Sequence, residues 1–155
     1  SGTVAGPVAV NGTLAPGNSP GTLSTGSLAL GSTATVAYQL DAADTTAGGV
    51  VNDLTAVTGD LVLDGTLNVS VLNGSALAGG NVYRLFTYTG ALTDNTLNLG
   101  SISFASGYAG LIDLSTAGQV NLDVVSSVPE PASLGLLSLA GAMLLRRRRR
   151  AAVIA

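Results

Sequence analysis

Short apolar runs of period two, each cut off by glycine, fill the chain as far as residue 127. In "ATVAYQL" Val36, Tyr38 and Leu40 share a face; in "GTLNVSVLNG" Leu67, Val69 and Val71 point one way and Thr66, Asn68 and Ser70 the other. In "GQVNLDVV" Val120, Leu122 and Val124 alternate with Asn121 and Asp123. Side chains two apart stand on one face of a strand, so these runs read as half-buried strands of about four to six residues. "SLALG", "DLVLDG" and "NTLNLG" repeat the theme with Leu28/Leu30, Leu61/Leu63 and Leu97/Leu99. Gly31, Asp64-Gly65, Asn73-Gly74 and Gly100 supply the turns. "NVYRLFTYTG" is the densest strand, holding Tyr83, Phe86 and Tyr88. No 3.6-residue apolar pattern occurs before residue 131, which makes the body all-β.

The runs also repeat imperfectly. "NGTLAPGNSPGTL", "DGTLNVS" and "DNTLNLGS" reuse a Gly/Asn-Thr-Leu core, and "TGSLALGS" and "TGDLVLDG" share a second frame. Repeated short strands with glycine turns suit a β-solenoid, in which each coil stacks on the next, and equally a β-sandwich. Cysteine is absent, so stability must come from backbone ladders and aliphatic packing rather than disulfides.

The residue inventory restricts chemistry. Without His or Cys there is no Ser-His-Asp or Cys-His centre, and without Lys no Ser-Lys dyad. Carboxylates remain: Asp60 and Asp64 at i, i+4, Asp41 and Asp44 in one loop, and Asp113 and Asp123 on neighbouring strands. Two carboxylates at a suitable separation run glycoside hydrolysis, but Asp-Gly and Asn-Asp contexts ordinarily mark turns. "GGVVND" (Gly48 to Asp53) faintly resembles a calcium-binding β-roll turn, yet occurs once and without the nonapeptide repeat. No catalytic residue, metal or cofactor is assigned.

Charge is divided sharply. Arg84 is the only basic residue before Arg146, whereas all nine acidic residues lie at or before Glu130. An acidic body does not bind nucleic acid, which requires clustered Lys/Arg. The other five arginines, Arg146, Arg147, Arg148, Arg149 and Arg150, follow "VPEPASLGLLSLAGAMLL" directly. Pro129 and Pro131 bracket Glu130 and exclude helix interior there, while Pro131 suits a first helical turn. From Ala132 to Leu145 every residue is Ala, Ser, Leu, Gly or Met, with Leu134, Leu136, Leu137, Leu139, Met143 and Leu144 giving the bulk. Fourteen helical residues reach about 21 Å against a hydrocarbon core of about 30 Å, short for a span unless arginine stems snorkel. The arginines hold their end in the cytoplasm and place residues 1–127 across the membrane.

Residues 128–155 resemble the C-terminal sorting signal of PEP-CTERM proteins: a Pro-Glu-Pro motif (Val128, Pro129, Glu130, Pro131), a short hydrophobic helix and an arginine cluster, in that order. The resemblance implies export across the inner membrane of a Gram-negative bacterium, transient anchoring there, and recognition by an exosortase-type cysteine transpeptidase. It further implies association with exopolysaccharide and biofilm matrix. The trailing "AAVIA" is a small departure, since the cluster usually ends the chain.

A second resemblance covers most of residues 12–100. "GTLAPGNSPGTLSTGSLALGSTATVAYQL", then "NDLTAVTGDLVLDGTLNVSVLNG" and "NVYRLFTYTGAL", resemble the autotransporter-associated β-strand repeat of passenger-type proteins. This implies a right-handed parallel β-helix acting as a surface-exposed scaffold. It departs from that family in that no membrane barrel follows. Residues 101–127 then read as final coils or a cap and a linker.

The sequence thus predicts a β-solenoid over 1–124, a linker over 125–131, and one short hydrophobic helix with its arginines over 132–155. Ser1 is followed by no charged-then-apolar export signal, so the chain reads as the C-terminal part of a longer precursor. The function expected is a non-enzymatic exported component of the cell surface or extracellular matrix. Two alternatives accompany it. One is a polysaccharide-binding or polysaccharide-active module, using paired carboxylates or a platform of Tyr83, Tyr88 and Tyr108; the other is a membrane-tethered adhesin that keeps its tail.

Overall fold

Alternation sends every second side chain to one side of a strand, and in this protein that side is the inside of a coil. The computed structural model describes residues 1–16 and 20–127, which form strands and turns. The first coil comprises β1 (Gly2–Val4), β2 (Val8–Val10) and β3 (Thr13–Leu14); the second comprises β4 (Thr22–Thr25), β5 (Leu28–Leu30) and β6 (Thr35–Asp41). The third holds β7 (Leu54–Val57), β8 (Leu61–Leu63) and β9 (Thr66–Leu72), and the fourth β10 (Val82–Tyr88), β11 (Leu92–Asp94) and β12 (Asn98–Leu99). A hairpin of β13 (Tyr108–Asp113) and β14 (Gln119–Ser126) ends the described chain.

Successive strands go to different sheets, and each pairs in parallel with its counterpart one coil away. The orders are β1-β4-β7-β10-β14-β13, β11-β8-β5-β2 and β12-β9-β6-β3. Leu23 stands beside Thr55 and Thr55 beside Phe86; Leu28 stands beside Leu61 and Leu61 beside Leu92. This is the arrangement of a parallel β-helix, and it decides against the sandwich, where strands adjacent in sequence would pair antiparallel.

Stacking explains the repeats. Thr13-Leu14, Thr35-Val36 and Thr66-Leu67 lie in one register on one sheet, so the Thr-Leu cores of the first and third coils share a rung with Thr-Val between them, whereas the Thr22-Leu23 copy falls in β4 on another sheet. A further likeness is out of step: "DGTLNVS" and "DNTLNLGS" align Leu67 with Leu97, whereas the ladder pairs Leu67 with Leu99. A slip of two keeps the same face, and Leu97 is buried as well. The interior is a column of Leu28, Leu61, Leu63, Val36, Leu67 and Leu40, all essentially inaccessible. Strict alternation fails in β10, where the register shifts between Arg84 and Phe86. That bulge turns both Leu85 and Phe86 inward beside Tyr83.

Inside the column, Tyr38 packs against Phe86 with ring centroids 5.7 Å apart. Its hydroxyl donates to the Leu85 carbonyl at 3.1 Å, which makes Thr55 Oγ1, 2.6 Å away, the donor to it. Burial pushes the phenol well above its ordinary pKa, so it stays protonated and keeps donating.

The C-terminal end is closed on one side. Strand β14 runs antiparallel to β10 and β13 antiparallel to β14, reversing the parallel direction of that sheet. The segment at 101–127 is therefore a capping hairpin, which covers β10 where a further coil would add. Strand β14 continues to Ser126, two residues past Val124.

Where the coil turns, space is tight. Gly65 has φ +78°, and a Cβ on it would stand 2.3 Å from the Ala34 carbonyl of the coil below. Gly49 has a similar φ of +71° with open space around its missing side chain. Gly49→Ala should therefore cost only the backbone strain, about 1 kcal/mol, and Gly65→Ala about 3 kcal/mol or more because stacking adds a clash. Urea unfolding of both variants measures the difference; equal losses would show that the coils are not in van der Waals contact at this corner.

Candidate functional site

Aspartate is the residue on which function could rest, and the fold shows what each one does. The body has eight aspartates, and seven accept a backbone N–H: Asp41 (from Ala43 and Asp44), Asp44, Asp53, Asp60, Asp64, Asp94 and Asp113. These are turn and corner caps, in which a short side chain replaces a ladder partner.

The densest group lies where β6 passes into residues 42–53. Asp53 takes Gly21 N–H at 2.6 Å and Gln39 N–H at 2.8 Å, fastening the start of one coil to the coil before it. Asn52 accepts from Asp41 N–H at 2.6 Å and donates to the Asp44 and Thr46 carbonyls. The Asp41 carboxylate also takes the Asn73 amide, while Tyr83 Oη donates to the Asp41 carbonyl at 2.9 Å. The Gly48–Asp53 segment thus spends its polar ends on backbone groups. Among the described residues no three His, Cys, Asp or Glu side chains gather as a metal site would require.

One of the three carboxylate pairs separates, and a second is taken up in a turn. Asp60 and Asp64 flank β8 at its opposite ends, about 13 Å apart at the rise of a strand, too far for a glycosidase pair. Asp41 accepts the amide of Asp44, so those two build one turn. The aromatic platform does not form either: Tyr83 is buried, and the Tyr108 ring lies over Gly79.

Asp113 and Asp123 do come together, on the outward face of β13 and β14, and a second feature joins them. Arg84 on β10 stands beside Asn121 on β14, Asn121 beside Asp113 on β13, and Asp123 lies two residues along. These side chains line a cleft of about 440 Å³ with Gln119, Thr116 and the overhanging Thr45 and Ala47. Asp123 is the one aspartate without a hydrogen bond among the described residues. Its Oδ1 and the Nε of Arg84 are buried and unpartnered. Burial, then the nearby Asp113, raises the Asp123 pKa; Asp113 is held low, first by the Ser115 amide. Sequence reading found the aspartate pair but not Arg84, whose signal was its isolation as the single basic residue of the body.

The sequence-predicted sorting residues, Val128 to Pro131, the apolar segment Ala132 to Leu145 and Arg146 to Arg150, lie outside the described residues.

No family model and no solved structure matches the chain. Over 117 residues, 74% of its length, it is 48% identical to the "Adhesin BmaC autotransporter" of Brucella suis biovar 1. The chain spans only about 3% of the length of that curated relative. The body is thus similar to a segment of an autotransporter adhesin.

The capping aspartates set the response to acid. The Asp41 carboxyl is held below its usual value by the Ala43 amide and then Asn73, Asp44 by Thr46, and Asp113 by Ser115. A carboxylate with a depressed folded-state pKa contributes stability above its unfolded value of about 3.9 and loses it as pH falls through the folded one. Asp53, raised by burial, works in the opposite direction. Urea midpoints should therefore fall below about pH 4, and more shallowly in Asp41→Asn. Parallel curves for the two proteins would remove Asp41 from this role.

Proposed function

We propose that this protein is a non-enzymatic, exported component of the cell surface or extracellular matrix, delivered by its C-terminal tail. The similarity to a segment of an autotransporter adhesin carries the reading of the body. Its construction agrees: a column of stacked coils presents polar outer faces, and seven of its eight aspartates are occupied in holding turns. A coil stack of this kind is a stiff spacer whose outer surface is free to meet partners.

The tail supplies the route. The coiled body and its capping hairpin extend to Ser126, and the Pro-Glu-Pro motif, the apolar segment and the arginines follow in the sequence. The apolar segment enters the inner membrane with the arginines in the cytoplasm, leaving the body outside. An exosortase-type transpeptidase acts at or near Val128, Pro129, Glu130 and Pro131, and the released body joins the surface or an exopolysaccharide-rich matrix.

Replacing Pro129, Glu130 and Pro131 by alanine tests the route in a Gram-negative host. The variant should accumulate in the inner-membrane fraction at unprocessed length, with surface labelling reduced about tenfold or more. Unchanged processing and display would refute the sorting role. A body that reaches the surface with its tail still attached would replace release by permanent tethering.

A further inference from the structure

The cleft between β10, the capping hairpin and residues 42–53 is not explained by folding. A buried donor or acceptor without a partner is costly, and here one of each, Arg84 Nε and Asp123 Oδ1, belongs to a residue that lines the same concavity. Elsewhere in the body aspartates are consumed by backbone amides.

The chemistry of the lining narrows the occupant. One guanidinium faces two carboxylates, so an anion meets Asp113 and Asp123 and a metal cation meets Arg84. The lining side chains present both hydrogen-bonding senses, donors on Arg84 and Asn121 and acceptors on Asp113 and Asp123, and a hydroxyl, which donates and accepts, answers both. The Asn121 and Gln119 amides, which also donate and accept, add further partners for hydroxyls. Beside this polar row Val82, opposite Asp123 in cross-strand register and 48% exposed, lines the cleft and offers an apolar surface to the C–H face of a sugar ring.

We propose that this cleft binds a neutral carbohydrate chain, with Arg84 and Asp123 as its polar anchors and Val82 as its apolar wall. The site rests on the reading of the body as a surface-displayed scaffold but not on the sorting tail. Failure of saccharide binding leaves the sorting route intact, and continued display of the Pro-Glu-Pro variant leaves the cleft intact.

The test is a titration of the isotopically labelled 155-residue chain in phosphocholine micelles with maltohexaose, cellohexaose and mannohexaose, and with hexagalacturonate as the charged arm. At least one neutral hexasaccharide should shift the amide signals of Arg84, Asn121 and Asp123 saturably, and hexagalacturonate should bind more weakly. Arg84→Gln and Asp123→Asn should each weaken binding about tenfold or more, the loss expected when a charged hydrogen-bond partner is removed. Thr93→Ala, on another sheet, should not change it, and an unaltered spectrum away from the cleft identifies a variant that has kept its fold. The proposal is overturned if no neutral saccharide binds, so that only a trapped water bridges the two groups. It is equally overturned if the variants bind undiminished, if hexagalacturonate binds tighter, or if new reducing ends appear, which would assign hydrolysis instead.

Discussion

The parallel backbone ladder between coils is the interaction on which everything else in this protein depends. A chain without cysteine and with little aromatic mass has few other means of holding itself together. Stacking equivalent strands pairs N–H with C=O between coils, and it aligns leucine over leucine in the interior column. The two effects require the same register, since a slip of one residue would turn the apolar set outward. A slip of two would not, and the offset between Leu97 and Leu99 shows the chain using that freedom.

Turns are where such a ladder is weakest, because backbone groups there lose their strand partners. The protein meets this with aspartate and asparagine rather than with added packing. Asp53 is the clearest instance: it is buried, its carboxyl is raised by desolvation, and yet it takes two amides from segments far apart in sequence. Seen this way, the acidity of the body is chiefly a structural property. Asp123 stands out because it has been left free of that duty.

Much of this was legible in the sequence. Period two identified the strands and their inner faces, and the Thr-Leu repeats marked one shared rung at Thr13-Leu14 and Thr66-Leu67, while the copies at Thr22-Leu23 and Thr96-Leu97 fall elsewhere. Sheet assignment was not legible, because alternation fixes the face of a strand but not its neighbour. The bulge that turns Phe86 inward and the burial of Tyr83 depend on the antiparallel cap, a long-range pairing that local pattern does not encode. The cleft was half legible: Asp113 and Asp123 read as neighbours, but Arg84 joins them only through pairing with a strand more than thirty residues away. The reading of the tail rests on residue type and order alone, since residues 128–155 lie outside the described structure.

An isotope-edited NOE spectrum of the 155-residue chain measures the coil stacking directly. Stacked coils require amide contacts linking Leu28 with Leu61 and Leu61 with Leu92, and close Hα–Hα pairs only where β14 meets β10 and β13. Close Hα–Hα pairs between strands adjacent in sequence, such as β4 with β5 or β5 with β6, would mean a meander or sandwich. The coil column, and the cleft built on its side, would then not exist.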